Sequence, residues 1–197
     1  TIELHGRKAE VLDAFAYSKF DLAGHETVVR VGRQVVSWGE SLFIQGGISS
    51  AQSPVDITQT NVPGVEIKDV LLPVGQAYAS FKVGGGVTLA GYYQWEWDAS
   101  RFDEAGSFFS SPPLGDFGLN AGRRILLPGL PAALPFPAIE RVGTQDAKNS
   151  GQFGVALRYV ADWLNNTEFG LYYINYHDKL PMALSNRTGG TPTPGLP

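Results

Sequence analysis

Between residues 87 and 98 the chain reads VTLAGYYQWEWD. Val87, Leu89, Gly91, Tyr93, Trp95 and Trp97 fall on one phase of a two-residue period, and Thr88, Ala90, Tyr92, Gln94, Glu96 and Asp98 fall on the other. Side chains of a strand point alternately to opposite faces. The pattern therefore predicts a strand with one apolar face that gains aromatic rings and one face that runs from small to polar to acidic. Twelve residues exceed the usual strand of about five or six and suit the roughly 9–11 residues of a tilted strand crossing a bilayer.

The same period recurs. In 77–83, Ala77, Ala79, Phe81 and Val83 oppose Tyr78, Ser80 and Lys82, and Gly84-Gly85-Gly86 supplies the positive φ angles of a tight hairpin into the strand at 87. In 152–159, Phe153, Val155, Leu157 and Tyr159 share a face opposite Gln152, Gly154, Ala156 and Arg158. A turn at 162–166 leads into 167–177, where Phe169, Leu171 and Tyr173 oppose Glu168, Gly170, Tyr172 and Tyr176, with Ile174 as an exception. A hairpin of 10–21 and 27–38 around 22–26 has a less regular pattern. If Val29, Val31 and Val35 face outward, so does Arg33, at a cost in lipid that a bulge at Gly32 or a covering element would relieve. Residues 65–72 are a seventh candidate strand.

Connections alternate between short (22–26, 84–86, 162–166) and long (39–76, 99–150, 178–197). Structureless loops of this size are uncommon in compact domains, whereas outer-membrane barrels have short turns on one side and long loops on the other. The expected fold class is all-β, an antiparallel transmembrane β-barrel of the outer-membrane type. Residues 1–197 then form part of a single barrel domain and carry a partial set of its strands, because six or seven fall short of eight. The chain has no basic-then-apolar opening segment, so it reads as mature, trimmed or cytosolic. It ends within a loop.

Composition narrows the function. Fifteen Lys+Arg against nineteen Asp+Glu, net −4, argue against nucleic-acid binding. Charged residues are 17% and aromatic residues 12%, with 24 Gly and 13 Pro, so turns are frequent and long helices few. With no Cys, disulfides, thiolate metal sites and a cysteine nucleophile are excluded. The uncharged part of 125–139 contains Pro128, Pro131, Pro135 and Pro137, which rule out a membrane helix there.

Catalytic chemistry is sparse. His5, His25 and His177 have no metal-ligand neighbours at helix or strand spacing, and no GxSxG elbow or Walker loop occurs. Gly84–Gly86 precedes no helix and reads as a turn. Glu96 with Asp98, and Asp103 with Glu104, are paired carboxylates that acid/base chemistry could use, but they read as rim or lumen groups. The sequons Asn165-Asn166-Thr167 and Asn186-Arg187-Thr188 have no meaning in a bacterial protein. No catalytic residue, metal ligand or cofactor is expected.

The polar faces carry the site candidates. Arg30, Lys82, Tyr92, Gln94, Glu96, Gln152, Arg158, Glu168 and Tyr172 are expected to line a lumen, with Tyr78 and Tyr176 interleaved. Their mixed signs suit a modestly polar path better than a strongly ion-selective one. Leu42, Phe43, Ile44 and Ile48, in a loop unusually apolar for an external one, are candidates for a constriction folded into that lumen. Tyr93, Trp95, Trp97, Tyr159 and Tyr173 are expected to form a membrane girdle. In a soluble sandwich the same rings would be core or a sugar-stacking platform.

The segments VGRQVVSWGESLFIQGGISSAQSPVD (31–56), VPGVEIKDVLLPV (62–74) and FGLYYINYHDKLP (169–181) resemble outer-membrane proteins of Gram-negative bacteria catalogued as domain of unknown function 1302. The resemblance spans most of 8–185, is poor over 99–150, and implies that the chain covers an internal third of such a protein. It implies a porin-like barrel and the handling of apolar compounds such as lipids, terpenoids or steroids. The expected function is an outer-membrane channel for passive uptake of small apolar molecules. Its expected partners are outer-membrane lipid, a small-molecule solute and the remaining barrel strands, with no nucleic acid, and its expected location is the bacterial outer membrane. The alternative is a secreted all-β sandwich that binds carbohydrate on an aromatic face. A barrel enzyme such as a lipid hydrolase ranks third.

Overall fold

The computed structural model describes residues 11–39, 47–66, 70–103, 108–109, 124–126, 138–140 and 145–180. One antiparallel sheet contains, in order, β1 (Ala14–Leu22), β2 (His25–Gln34), β3 (Val74–Gly84), β4 (Val87–Gln94), β7 (Gln152–Ala161) and β8 (Thr167–Asn175). A separate hairpin pairs β5 (Arg124–Leu126) with β6 (Ala138–Glu140). A single helical turn, α1 (Ser49–Gln52), and a 3-10 helix (Ile57–Asn61) lie between β2 and β3.

Local chemistry explains the hairpins. Two residues close β1–β2, Ala23 and Gly24 at φ 54° and 80°, and two close β3–β4, Gly85 and Gly86 at φ 60° and 79°. Positive φ at both positions gives the turn twist that matches the strands. β7 leaves through a short 3-10 turn (Asp162–Leu164) and re-enters through Asn165 and Asn166, both left-handed, a conformation asparagine tolerates.

The register sorts side chains into two faces. One face carries the row Ala16, Val31, Ala77, Tyr93 and Phe153, then Ser18, Val29, Ala79, Gly91, Val155 and Tyr173, then Phe20, Thr27, Phe81, Leu89, Leu157 and Leu171. Most of its large apolar residues stay exposed, from 37% at Phe153 to 71% at Leu171. The other face carries Tyr17, Arg30, Tyr78, Tyr92, Gly154 and Ile174 in one row and Gln76, Gln94 and Gln152 in the next. Here the core forms: Val36, Trp38, Tyr92 and Ala156 are buried, with Ile48, Tyr78, Ala90, Tyr172 and Ile174 packed against them. Gly154 makes the packing possible. A Cβ there would stand 2.5 Å from Cε1 of Tyr92 and 3.0 Å from Cζ3 of Trp38, so the rings lie directly on the strand backbone.

The strands expected from alternation are present with shifted ends. That at 87–98 stops at Gln94. In the candidate at 65–72 the described residues form no strand, Leu71 making an isolated bridge to Val55; 67–69 lie outside the described residues. Gly32 holds no bulge, since both flanking registers run through it; the irregularity falls instead between Lys82 and Gly84. Arg33 does share the face of Val29 and Val31, but at the strand end, where Glu96 neutralises it at 2.6 Å.

The barrel expectation is overturned. No strand among the described residues pairs with the outer edge of β1 or of β8, so the sheet is open, and six strands fall short of the eight with which membrane barrels begin. The fold is corrected to an open antiparallel sheet. The porin-like channel, its lipid and solute partners, the remaining barrel strands and the bacterial outer-membrane location all rested on closure around a lumen and are corrected with it. Among the described residues no helix is long and apolar enough to cross a membrane, a statement about helices alone.

Gly154→Ala should destabilise the fold by about 1–3 kcal/mol, the usual cost of overpacking. Urea denaturation checks this; an unchanged midpoint would mean that the rings do not rest on the β7 backbone.

Candidate functional site

Aromatic rings lie on both sides of the sheet, and strand alternation places them there. On the covered face Trp38 meets Tyr92 edge-on at 5.0 Å between centroids and Tyr172 at 5.9 Å. Such pairs add about 0.5–1.5 kcal/mol beyond burial. Arg158 lies 5.9 Å from the Tyr172 ring and donates from Nη2 to the Trp38 carbonyl at 3.1 Å. Arg30 stacks on Tyr78 at 4.5 Å. Towards the short turns, Glu26 binds Lys19 at 2.5 Å and Lys82 at 2.6 Å, and the two ammoniums hold its carboxyl down to about 2.

Beneath the long connection, this face is built from amides. Gln34, Gln52, Gln76, Gln94 and Gln152 are each no more than 1% exposed. Gln34 and Gln76 exchange bonds, each side-chain amide donating to the other's backbone carbonyl at 3.1 and 2.8 Å. Gln94 Nε2 donates to Gln76 Oε1 and to the Gln52 carbonyl. Gln52 Oε1 accepts from the Trp38 backbone N–H at 2.8 Å. Lys179 Nζ donates to the Ala51 carbonyl at 2.9 Å and to Gln152 Oε1 at 3.1 Å. Burial pulls the Lys179 ammonium down to about 8, with Asp178 acting the other way. Burial also pushes the Tyr92 phenol up to about 12. The nearby Gln52 side chain pulls weakly in the opposite direction, without closing a hydrogen bond to the hydroxyl.

The opposite face presents its rings. Tyr93, Phe153 and Tyr173 are 46%, 37% and 65% exposed, and Trp95, just past the end of β4, is 43% exposed. Phe153 and Tyr173 lie 6.1 Å apart. Gly75 lets the Trp95 indole settle on the sheet, since a Cβ there would collide with Nε1. Beside this row Thr27, Ala79, Phe81, Leu89 and Gly91 line a depression of about 180 Å³. That is below the roughly 300 Å³ at which enclosed small-molecule pockets begin, so the surface is a platform with a shallow groove.

The structure thus brings together eight of the nine expected lumen residues, Arg30, Lys82, Tyr92, Gln94, Gln152, Arg158, Glu168 and Tyr172, on one face. The glutamine and Trp38 part of that face is packed against the chain's own connection, whereas Lys82 and Glu168 stay 61% and 53% exposed. Glu96 departs from it: Oε1 accepts from Arg33 at 2.6 Å and Oε2 from the Gly75 N–H at 2.6 Å. Ile48 packs on the covered face; Leu42, Phe43 and Ile44 lie outside the described residues. Of the five girdle candidates, Tyr93, Trp95 and Tyr173 gather at one end of the apolar face. Tyr159 lies at the other end, where its hydroxyl accepts from Trp163 Nε1 at 3.3 Å. Trp97 has left the sheet and donates from Nε1 to the Asp178 carbonyl.

Sequence reasoning missed Trp38, Gln34, Gln52, Gln76 and Lys179. Gln76 shares the phase of Tyr78 and was readable from it. Gln52 and Lys179 come from irregular segments with no period to announce them. Among the described residues no three or more His, Asp or Glu come together as a metal site.

Residues 1–194 match a family model described as Protein of unknown function (DUF1302). No curated protein and no solved structure matches the chain.

The two perturbed groups set a pH profile of opposite slopes. A lysine whose folded pKa is depressed weighs against the fold while protonated, so stability rises as pH climbs from about 8 towards 10.5. A tyrosine whose folded pKa is raised favours the fold while neutral, so stability falls as pH rises from about 10 to 12. Urea midpoints should peak near pH 10. Lys179→Met should flatten the rising limb, and a variant that keeps it would acquit Lys179.

Proposed function

The chain belongs to the DUF1302 family of proteins of unknown function, and we propose that it is a non-catalytic binding module that stacks a ring-bearing carbohydrate on the exposed aromatic row of its sheet. One observation carries this reading: the rings stand back to back. Tyr92 and Tyr172 are locked in the Trp38 cluster, and their chain neighbours Tyr93 and Tyr173 project from the other face, 46% and 65% exposed. A clamped backbone presents its rings at little entropic cost on binding. Exposed apolar surface of this extent marks an interaction site. Flat rings suit the apolar C–H faces of sugars. Polar groups flank the row for hydroxyl contacts: Asn175 beside Phe153, and the Arg33–Glu96 pair beside Trp95.

Glu96 and Asp98 suit this reading better than acid/base catalysis. Both Glu96 oxygens are engaged by Arg33 and Gly75, and Asp98 Oδ1 accepts from the Ala99 N–H. The sandwich form of the alternative is not adopted, because the described strands of the large sheet lie in one layer of hydrogen-bonded order.

The test is retention on cellulose, chitin and xylan, with affinity gels for soluble oligosaccharides. Binding to at least one of them should fall roughly tenfold or more, the equivalent of about 1.4 kcal/mol, in Trp95→Ala and Tyr93→Ala, with unchanged far-UV circular dichroism. Retention on none of them, or variants that bind as well as the parent, would overturn the proposal.

A further inference from the structure

Among the described residues the two edge strands of the sheet, β1 and β8, are long and have no partner on their outer side. β1 and β8 each run for nine residues. Neither contains proline, and their pairings with β2 and β7 run without a register shift. Natural edge strands are ordinarily shortened, bulged or broken by proline to prevent pairing. Because six strands alternate in direction, β1 and β8 point oppositely. A second copy laid edge to edge would continue the sheet antiparallel and keep its apolar and polar faces aligned.

We propose that β8 of one copy pairs with β1 of another, in the register that sets Glu168 opposite Lys19. Charge and size select this register. Both side chains lie on the polar face and remain more than half exposed, 53% for Glu168 and 62% for Lys19, despite contacts with Arg158 and Glu26. On the apolar face it puts each large β8 residue against a small one of β1: Phe169 on Ser18, Leu171 on Ala16, Tyr173 on Ala14. On the polar face Tyr172 meets Phe15, and Tyr17, 73% exposed, meets Gly170. The proposed register forms seven pairs; a shift of two residues one way would form nine but sets Glu168 against Asp21, a like-charge pair that opposes pairing. A shift the other way shortens the ladder to five pairs. The contact is heterologous: the joined pair keeps one free β1 edge and one free β8 edge for further copies.

The chain has no cysteine, so single-cysteine variants report the register without background. Ala16→Cys is mixed in turn with Phe169→Cys, Leu171→Cys and Tyr173→Cys under mild oxidation. Only directly opposite positions bring Cα atoms within disulfide reach, so the Leu171→Cys mixture should cross-link roughly tenfold faster than the other two. In sedimentation velocity the parent should form dimers or larger species. Glu168→Lys should weaken them, and mixing in Lys19→Glu should restore them, Glu26 keeping Lys82 as its partner. A parent that stays monomeric at its solubility limit, equal cross-linking in all three mixtures, or cross-links of Leu171→Cys only with itself would overturn the proposal.

Discussion

The fold depends on a buried layer of amides between the sheet and the connection that crosses it. Gln52 is the pivot: its side chain accepts the Trp38 N–H, and its backbone carbonyl accepts from Gln94. Lys179 ties the same connection to β7 through Ala51 and Gln152. A buried amide without partners costs about 1–3 kcal/mol, so glutamines on this face require a polar cover. The segment around α1 supplies it with backbone carbonyls that a one-turn helix cannot satisfy internally. Removing the Gln52 side chain strands the buried Trp38 N–H.

That layer makes the two faces unequal. The part of the polar face beneath the long connection is covered by the protein's own chain and carries the Trp38 cluster, while Tyr17, Lys19, Lys82 and Glu168 on the same face stay exposed. The apolar face has no comparable cover among the described residues, and it carries the rings offered to a ligand. The same alternation that first pointed to a barrel is fully present. Alternation reports that a sheet has one apolar and one polar face; it does not report what lies against either. Closure is a property of the outermost pairings, and among the described residues those pairings are absent.

Most of the strand layout was legible in the residues because period two is a local signal. The tight turns at Gly24 and Gly85-Gly86 were legible for the same reason, since few residues adopt positive φ. The shared face of Arg30, Tyr92, Gln94, Gln152, Arg158 and Tyr172 followed from phase alone. Glu96 was misplaced because β4 ends at Gln94, and an ion pair with Arg33 then outweighs continued alternation. Gln52 and Lys179 were invisible, because they reach the site from irregular backbone and only tertiary packing brings them there. The small hairpin of β5 and β6 inside a proline-rich stretch was equally hidden, since three-residue strands are too short to display a period.

The Trp38 cluster lies buried on one face of the sheet, and the other face presents its rings. Trp38, 6% exposed, and Trp95, 43% exposed, report on the two faces separately. The most direct measurement is acrylamide quenching of tryptophan fluorescence in variants that retain only Trp38 or only Trp95, the other tryptophans being replaced by phenylalanine. Trp38 should give blue-shifted emission resistant to quenching, and Trp95 red-shifted, readily quenched emission. Equal quenching of the two, or a more accessible Trp38, would contradict this arrangement.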